Sequence, residues 1–461
     1  MRSTLLGMLL LLFSQMQAQQ LNKISTVDKI YGLSNYWQEV NYNFVYFDKV
    51  DKTVWNEAYK KLIEKIPALN DFEYYLELQK MSALLNDGHT QVYLPDELDG
   101  QWIINEFGDL KLATDYIENK VVVTRIIETK KELLPIGTEV LKVNNIPIQQ
   151  YLEQEVTPYL SVSSPHVKVK RAAQLLFKNL AGTNYTVEYK KPDGKVNTLK
   201  LSLKRFSGDA KMYPVFPKVE VFSSKWINQN TYYIKILSFE NAGIYDEFLK
   251  VLPELKKAKS LIIDIRYNGG GSSVLSRKIA QHLVNDSLIY GAKNQSRLLI
   301  PTDKALGSFL TPADTVNGKK EWGLDKEQTL MHYKAAQGSL MHQYPYQPSK
   351  IPAGTEKIII PTVILTESTT ASAAEDFLIF TSNQPHIKRI GNFTNGSTGQ
   401  PLLISLPIGG EAWICTKKVL LPDGTEFIGK GIEPHIKAEY TVKDLLKNED
   451  SVLEKAVVFL K

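Results

Sequence analysis

Residues 358–380, IIIPTVILTESTTASAAEDFLIF, decide how this chain is read. Ile358–Leu365 is a continuous apolar run rich in β-branched residues, the pattern of a strand buried on both faces of an α/β layer. AAEDFLIF reads as a helix, so Ser372 stands where a buried strand hands over to a helix. Amides of a first helical turn lack intrahelical acceptors and point at whatever lies beside them. Two readings of Ser372 follow. In one it is a nucleophile on a sharp strand-to-helix turn, with amides ready for an oxyanion. In the other, Ser372 and Glu375 form an S-x-x-E capping box and carry no chemistry.

Working outward, a second buried strand, LIIDI, runs straight into Asp264–Gly271, DIRYNGGG. Consecutive glycines allow backbone conformations closed to other residues and bring amides close to a bound group. The loop reads either as a tight turn or as one wall of an oxyanion hole shared with the amide after Ser372. Phosphate binding fits poorly, because Val274 stands where G-x-G-x-x-G needs its last glycine and no G-K-[ST] is present. A third stretch, Asp87-Gly88-His89-Thr90, follows a helix-ending turn; its imidazole titrates in the range a general base requires. The other histidines (His166, His282, His332, His342, His386, His435) show no metal-ligand spacing, so zinc chemistry is not expected.

The rest of the chain gives the setting. Arg2, the apolar Leu5–Phe13 and the small Ala18 read as a secretory leader cut after residue 18, too short to span a bilayer. No later segment is apolar for the length a spanning helix needs. A formal charge of +5 with scattered lysines does not suggest nucleic acid as a partner. The single cysteine, Cys415, excludes an internal disulfide and reads as a buried small residue, which suits export to a bacterial periplasm.

The expected organisation is α/β and α+β multidomain. A helical N-terminal domain covers 19–98, with aromatic residues such as those of SNYWQEVNYNFVYF at helical spacing. A β-rich module covers 99–208, with one helix near Val167–Leu180. An alternating α/β core covers 209–445, interrupted by a polar and aromatic insertion at 292–357 of the kind that forms lids or binding surfaces, and a C-terminal helix fills 446–461.

NDGHT, DIRYNGGG, ESTTASAAE, GNFTNGSTG and PDGTEFIGKGIEP, in that order, resemble the S41 peptidases, which include the C-terminal (tail-specific) processing proteases and the tricorn core. The resemblance covers nearly all of the chain after the leader. It implies a crotonase-like (ClpP-like) core, and GTEVLKVNNIPI resembles part of a PDZ domain. It also implies a peptide or protein substrate, no cofactor, and self-assembly as one state open to the chain.

In the Ser–Lys branch of the family, a lysine follows the serine by some twenty-five residues. Ser397 occupies that place here, whereas His89 matches the D-G-H-T of the tricorn-like branch. The resemblance therefore implies Ser372 as nucleophile, His89 as general base, and the amides of Gly270 and Ala373 as oxyanion donors. The branch's E-N-x-G-V glutamate is replaced by Ile428-Gly429-Lys430-Gly431-Ile432. Glu426, on the same face if this is a strand, is one substitute, and Glu375 is another. Asp264 and Arg266 are expected to form a structural ion pair. Two rivals stay open: an inactive relative that binds a ligand, as in retinoid carriers of this architecture, and a scaffold whose PDZ-like module supplies the function.

Overall fold

Helix caps set the N-terminal architecture before any packing does. In the computed structural model, which describes residues 23–215 and 220–461, the expected leader lies outside the described residues. Ser25, Asp51 and Asn70 each accept a backbone N–H at the start of a helix: Thr26–Asn43, Lys52–Lys65 and Asp71–Ala83. Tyr36, Phe44, Trp55, Tyr74 and Tyr75 fill the core between them and are buried completely. Among the described residues, no helix is long and apolar enough to cross a membrane.

The chain folds as two compact units that interleave along the sequence. Of the described residues, the first takes 23–101, 295–344 and 399–418. It adds to the three helices an antiparallel sheet in the order Gln91–Tyr93, Glu411–Cys415, Pro401–Ser405. Two helices from the polar insertion, Pro301–Gly307 and Lys326–Gln337, belong to the same unit. They touch through Gly307, where a Cβ would fall 1.8 Å from the His332 carbonyl oxygen.

Of the described residues, the second unit takes 102–215, 220–294, 345–398 and 419–461 and contains both the β-rich module and the α/β core. The module is an antiparallel sheet running Met212–Tyr213, Lys120–Ile127, Glu139–Val143, Asn184–Lys190, Val196–Ser202. Asn184–Lys190 alternates buried and open positions, as a strand with one solvated face should. The Asn144-Asn145 turn has φ of 52° and 65°, the left-handed pair that a two-residue hairpin demands. Its helix spans Pro165–Gln174, earlier and shorter than Val167–Leu180. Pro165 suits the first helical position, and Lys178–Asn179 leaves the helix to pair with Ile103–Ile104.

The core sheet runs Phe222–Trp226, Thr231–Ile236, Ser260–Asp264, Thr362–Thr366, Ile387–Gly391, Ile436–Lys437, parallel except at its first edge. Ser260–Asp264 and Thr362–Thr366 are buried at every position. The second strand begins later than the apolar run suggested. Pro361 has no N–H for the ladder, and the Ile358 N–H is taken by the His282 carbonyl at 2.7 Å. Helices Ser273–Ala280 and Ala373–Phe380 cover one face, with Phe239, Phe248, Ile279, Leu283 and Phe377 in a single apolar cluster. Full burial of a side chain such as Phe377 is worth about 1.5–3 kcal/mol. Arg266 and Asp264 do pair, at 2.7 Å, and Asp450 completes the pair from the far end of the chain at the same distance.

Candidate active site

The glycine loop and the Ser372 turn leave neighbouring parallel strands, Asp264 lying opposite Leu365 in the register. Both loops emerge at the carboxyl end of the sheet, where open α/β folds place their ligands. Ser372 has φ 54° and ψ −123°. A capping serine takes an extended backbone, and a non-glycine residue held outside the common regions costs about 1–3 kcal/mol. A helix cap gives no reason for that strain, whereas a nucleophile turn does.

Surroundings over-determine the strained turn. Ser372 N–H donates both to the Ser397 carbonyl at 3.1 Å and to Glu375 Oε2 at 3.2 Å. Ala371 N–H donates to the Asn268 carbonyl, and Asn395 N–H to the Thr370 carbonyl. Gly270, at φ 111°, lies so close that a Cβ there would sit 2.6 Å from Ser372 Cβ and 3.0 Å from Ala373 N. The Gly270 N–H is already given to Asn268 Oδ1 at 2.9 Å. Of the two amides expected at an oxyanion position, only that of Ala373 has no acceptor among the described residues.

Glu375 does not orient a base. Its carboxylate is buried and accepts from Thr394 Oγ1 at 2.5 Å, Gly396 N at 2.7 Å, Ser397 N at 3.1 Å and Ser372 N. Burial pushes its carboxyl up to about 7, against the pull of those four donors. The S-x-x-E spacing does form a capping box, and three further donors some twenty residues on fill the rest of the carboxylate's shell. Sequence could not show this, because the partners lie on a different loop.

Ser397 is buried at the family's lysine position and cannot serve as a base. One lysine that the structure brings to these loops is Lys170, whose Nζ lies 2.9 Å from Glu367 Oε2. Burial opposes its charge, but Glu367 and Asp115 outweigh that, so the ammonium stays above its ordinary value and is a poor proton acceptor.

In the other unit, the Asp87–Thr90 turn is tied down by side chains. Thr90 Oγ1 donates to Asp87 Oδ2 at 2.7 Å and accepts from Cys415 N at 3.0 Å, while Ser82 Oγ donates to the Thr90 carbonyl. His89 is half-buried beside Gly399, where a Cβ would lie 3.7 Å from the His89 Cβ and Cγ. Cys415 is buried, and burial holds its thiol far above the usual range, so it is not a nucleophile. Among the described residues no group of His, Cys, Asp and Glu is placed to hold a metal.

Glu426 does not lie on the strand that the same-face argument requires. It makes one antiparallel bridge to Leu420 across the Asp423-Gly424 turn, and residues 428–430 form a further turn. Gly424, Gly429 and Gly431 all have φ between 84° and 93°, which breaks the extended backbone.

A strained serine beside a glycine loop, at the end of a buried parallel strand, defines a candidate serine hydrolase. Residues 230–438 match the family model described as Peptidase family S41, a family of serine-type peptidases. The fold is similar to that of mature CPAF, solved as a complex with lactacystin: 14% identity, 94% of this chain and 97% of that one covered, TM-score 0.67. It is also similar to a putative peptidase from Parabacteroides merdae, with 18% identity, 95% and 97% covered, and a TM-score of 0.50. No curated protein matches the chain.

Proposed function

We propose that this chain is an exported endopeptidase that hydrolyses peptide bonds through an acyl-enzyme on Ser372, with His89 as general base. The observation that carries the reading is the backbone of Ser372, held at φ 54°, with the Ala373 amide, which has no acceptor among the described residues, next in the chain. In this reading the Ser372 hydroxyl attacks the scissile carbonyl as His89 takes its proton, and the Ala373 amide receives the oxyanion. His89 then returns the proton to the leaving amine, and a water activated by the same imidazole releases the acid product.

The pairing with His89 rests on the match of Asp87-Gly88-His89-Thr90 to the D-G-H-T of the tricorn-like branch. Gly270 is assigned the second oxyanion amide, which requires Asn268 Oδ1 to release it. Glu426 is assigned the orientation of His89 on its place in the sequence alone.

A fluorophosphonate probe tests the nucleophile. Labelling of the wild type that disappears in Ser372→Ala is expected, and a folded wild type that takes no label overturns the reading. Cleavage after Ala18, read from the N-terminal sequence of the mature protein in a bacterial periplasm, tests export.

A further inference from the structure

The loops that frame Ser372 are also held from the β-rich module, and the holding groups are charged. Helix Pro165–Gln174 of that module presents Lys170 to Glu367, on the loop leading to Ser372. The two side chains are only 20% and 13% exposed, so this is not the weak surface pair that solvent screens. Glu367 Oε1 faces the other way. It accepts from Thr369 N at 3.0 Å, from the Thr369 hydroxyl, and from Tyr267 N at 3.2 Å. Tyr267 opens the glycine loop and has φ 67°, a conformation that needs outside support.

One carboxylate therefore joins the glycine loop to the nucleophile loop, and its counter-ion comes from another module. The same helix reaches the third loop as well: the Ser164 hydroxyl donates to the Asn395 carbonyl, and the His166 ring lies 2.9 Å from the Thr394 carbonyl. Thr394 is one of the four donors that hold Glu375.

We propose that Lys170 and Glu367 are positioning residues for the peptidase reaction, the module's helix keeping the Ser372 turn and the glycine loop in register through their ion pair. The inference rests on Ser372 being the nucleophile. Removing Lys170 leaves a mostly buried carboxylate without its counter-ion, and the carboxylate then turns toward water and releases the Tyr267 and Thr369 amides. A displacement of about 1 Å at a reacting group lowers rate on the order of 10²-fold.

The test uses the full chain and its Lys170→Met, Lys170→Arg and Lys170→Met/Glu367→Met variants. Read are the thermal midpoint, the rate of labelling by a small fluorophosphonate, and kcat and KM on casein. Lys170→Met is expected to label about tenfold or more slowly, with kcat falling in proportion and KM nearly unchanged. Lys170→Arg, which keeps the charge, restores both rates.

The double variant removes both members of the ion pair, leaves buried Asp115 to take up a proton, and recovers the midpoint, but its labelling stays slow because nothing holds the two amides. Recovery of labelling together with the midpoint would show a purely structural pair and overturn the proposal. So would a folded Lys170→Met that labels like the wild type. A folded wild type that takes no label instead strikes the Ser372 assignment and this inference with it.

Discussion

At the Ser372 turn main-chain contacts set the closest packing, with buried carboxylates behind them, whereas at the His89 turn side chains supply most of the ties. Ser372 is caught between the Gly270 backbone, the Ser397 carbonyl and a buried carboxylate, with its own φ in a region that L residues avoid. The His89 turn is tied by several side chains: Thr90 links Asp87 to the backbone of Cys415, Ser82 holds the Thr90 carbonyl, and Gln91 holds that of Gly88. Main-chain contacts leave no slack, since a single added carbon collides. Side-chain contacts are lost one hydrogen bond at a time. The nucleophile turn should therefore respond to substitution abruptly and the base turn by degrees.

The largest effect should come from removing the reacting groups themselves. Ser372→Ala and His89→Ala are each expected to lower kcat/KM by about 10³-fold or more while leaving the thermal midpoint close to wild type. Equal losses, measured on one peptide substrate, would place both turns in one catalytic unit.

Gly270→Ala comes next and tests the claim of abruptness. Its Cβ would lie 2.6 Å from Ser372 Cβ at a backbone φ of 111°, so the strand-to-helix turn must shift. A fall of about 10²-fold in labelling rate is expected, together with a lower midpoint. A variant that labels at the wild-type rate would mean the turn has slack after all.

Glu375→Gln probes the buried carboxylate. The amide side chain keeps one acceptor oxygen and presents N–H groups to two of the donors, at about 1–3 kcal/mol for each unsatisfied group. Its pH dependence has a definite sign. A carboxyl near 7 in the folded state and near 4.3 unfolded binds its proton more tightly when folded. That contribution to stability is complete below about pH 4 and is lost as pH rises through 7. The unfolding free energy of the wild type should therefore decline across that window relative to Glu375→Gln, as chemical denaturation at several pH values will show.

Thr90→Val should have the smallest effect. It deletes the link between Asp87 and Cys415 at about 1–2 kcal/mol and should lower kcat only several-fold. A loss as large as that of His89→Ala would erase the contrast between the turns.

Local chemistry was legible in the sequence. The buried strand before Ser372, the glycines that follow Asp264, the Asn144-Asn145 turn and the aromatic helical core are all encoded within a few residues of themselves. What the sequence hid was carried by distant partners. Glu375 looked like a cap because its first donor is three residues away, while its other three lie on the Thr394–Ser397 segment. Lys170 is one lysine among many until the helix brings it to Glu367. Glu426 was placed by assuming a strand that three glycines with positive φ do not allow. Asp450 was equally invisible, since its tie to Arg266 crosses 184 positions.

Arg297 has a bearing on how this chain tolerates trimming. Its guanidinium donates to the carbonyls of Asn41, Tyr42 and Phe44, at the end of the helix Thr26–Asn43, and to that of Gly338. The Asn41 and Tyr42 carbonyls lack intrahelical partners, and that of Phe44 also accepts from Phe47 N–H at 3.2 Å. A shortened chain lacking 295–344 would leave the aromatic helices with an unsealed end, so a deletion meant to open access would instead loosen the first unit. Shortening from the Phe309–Trp322 tip inward, with Arg297 kept, is the cut the fold can absorb.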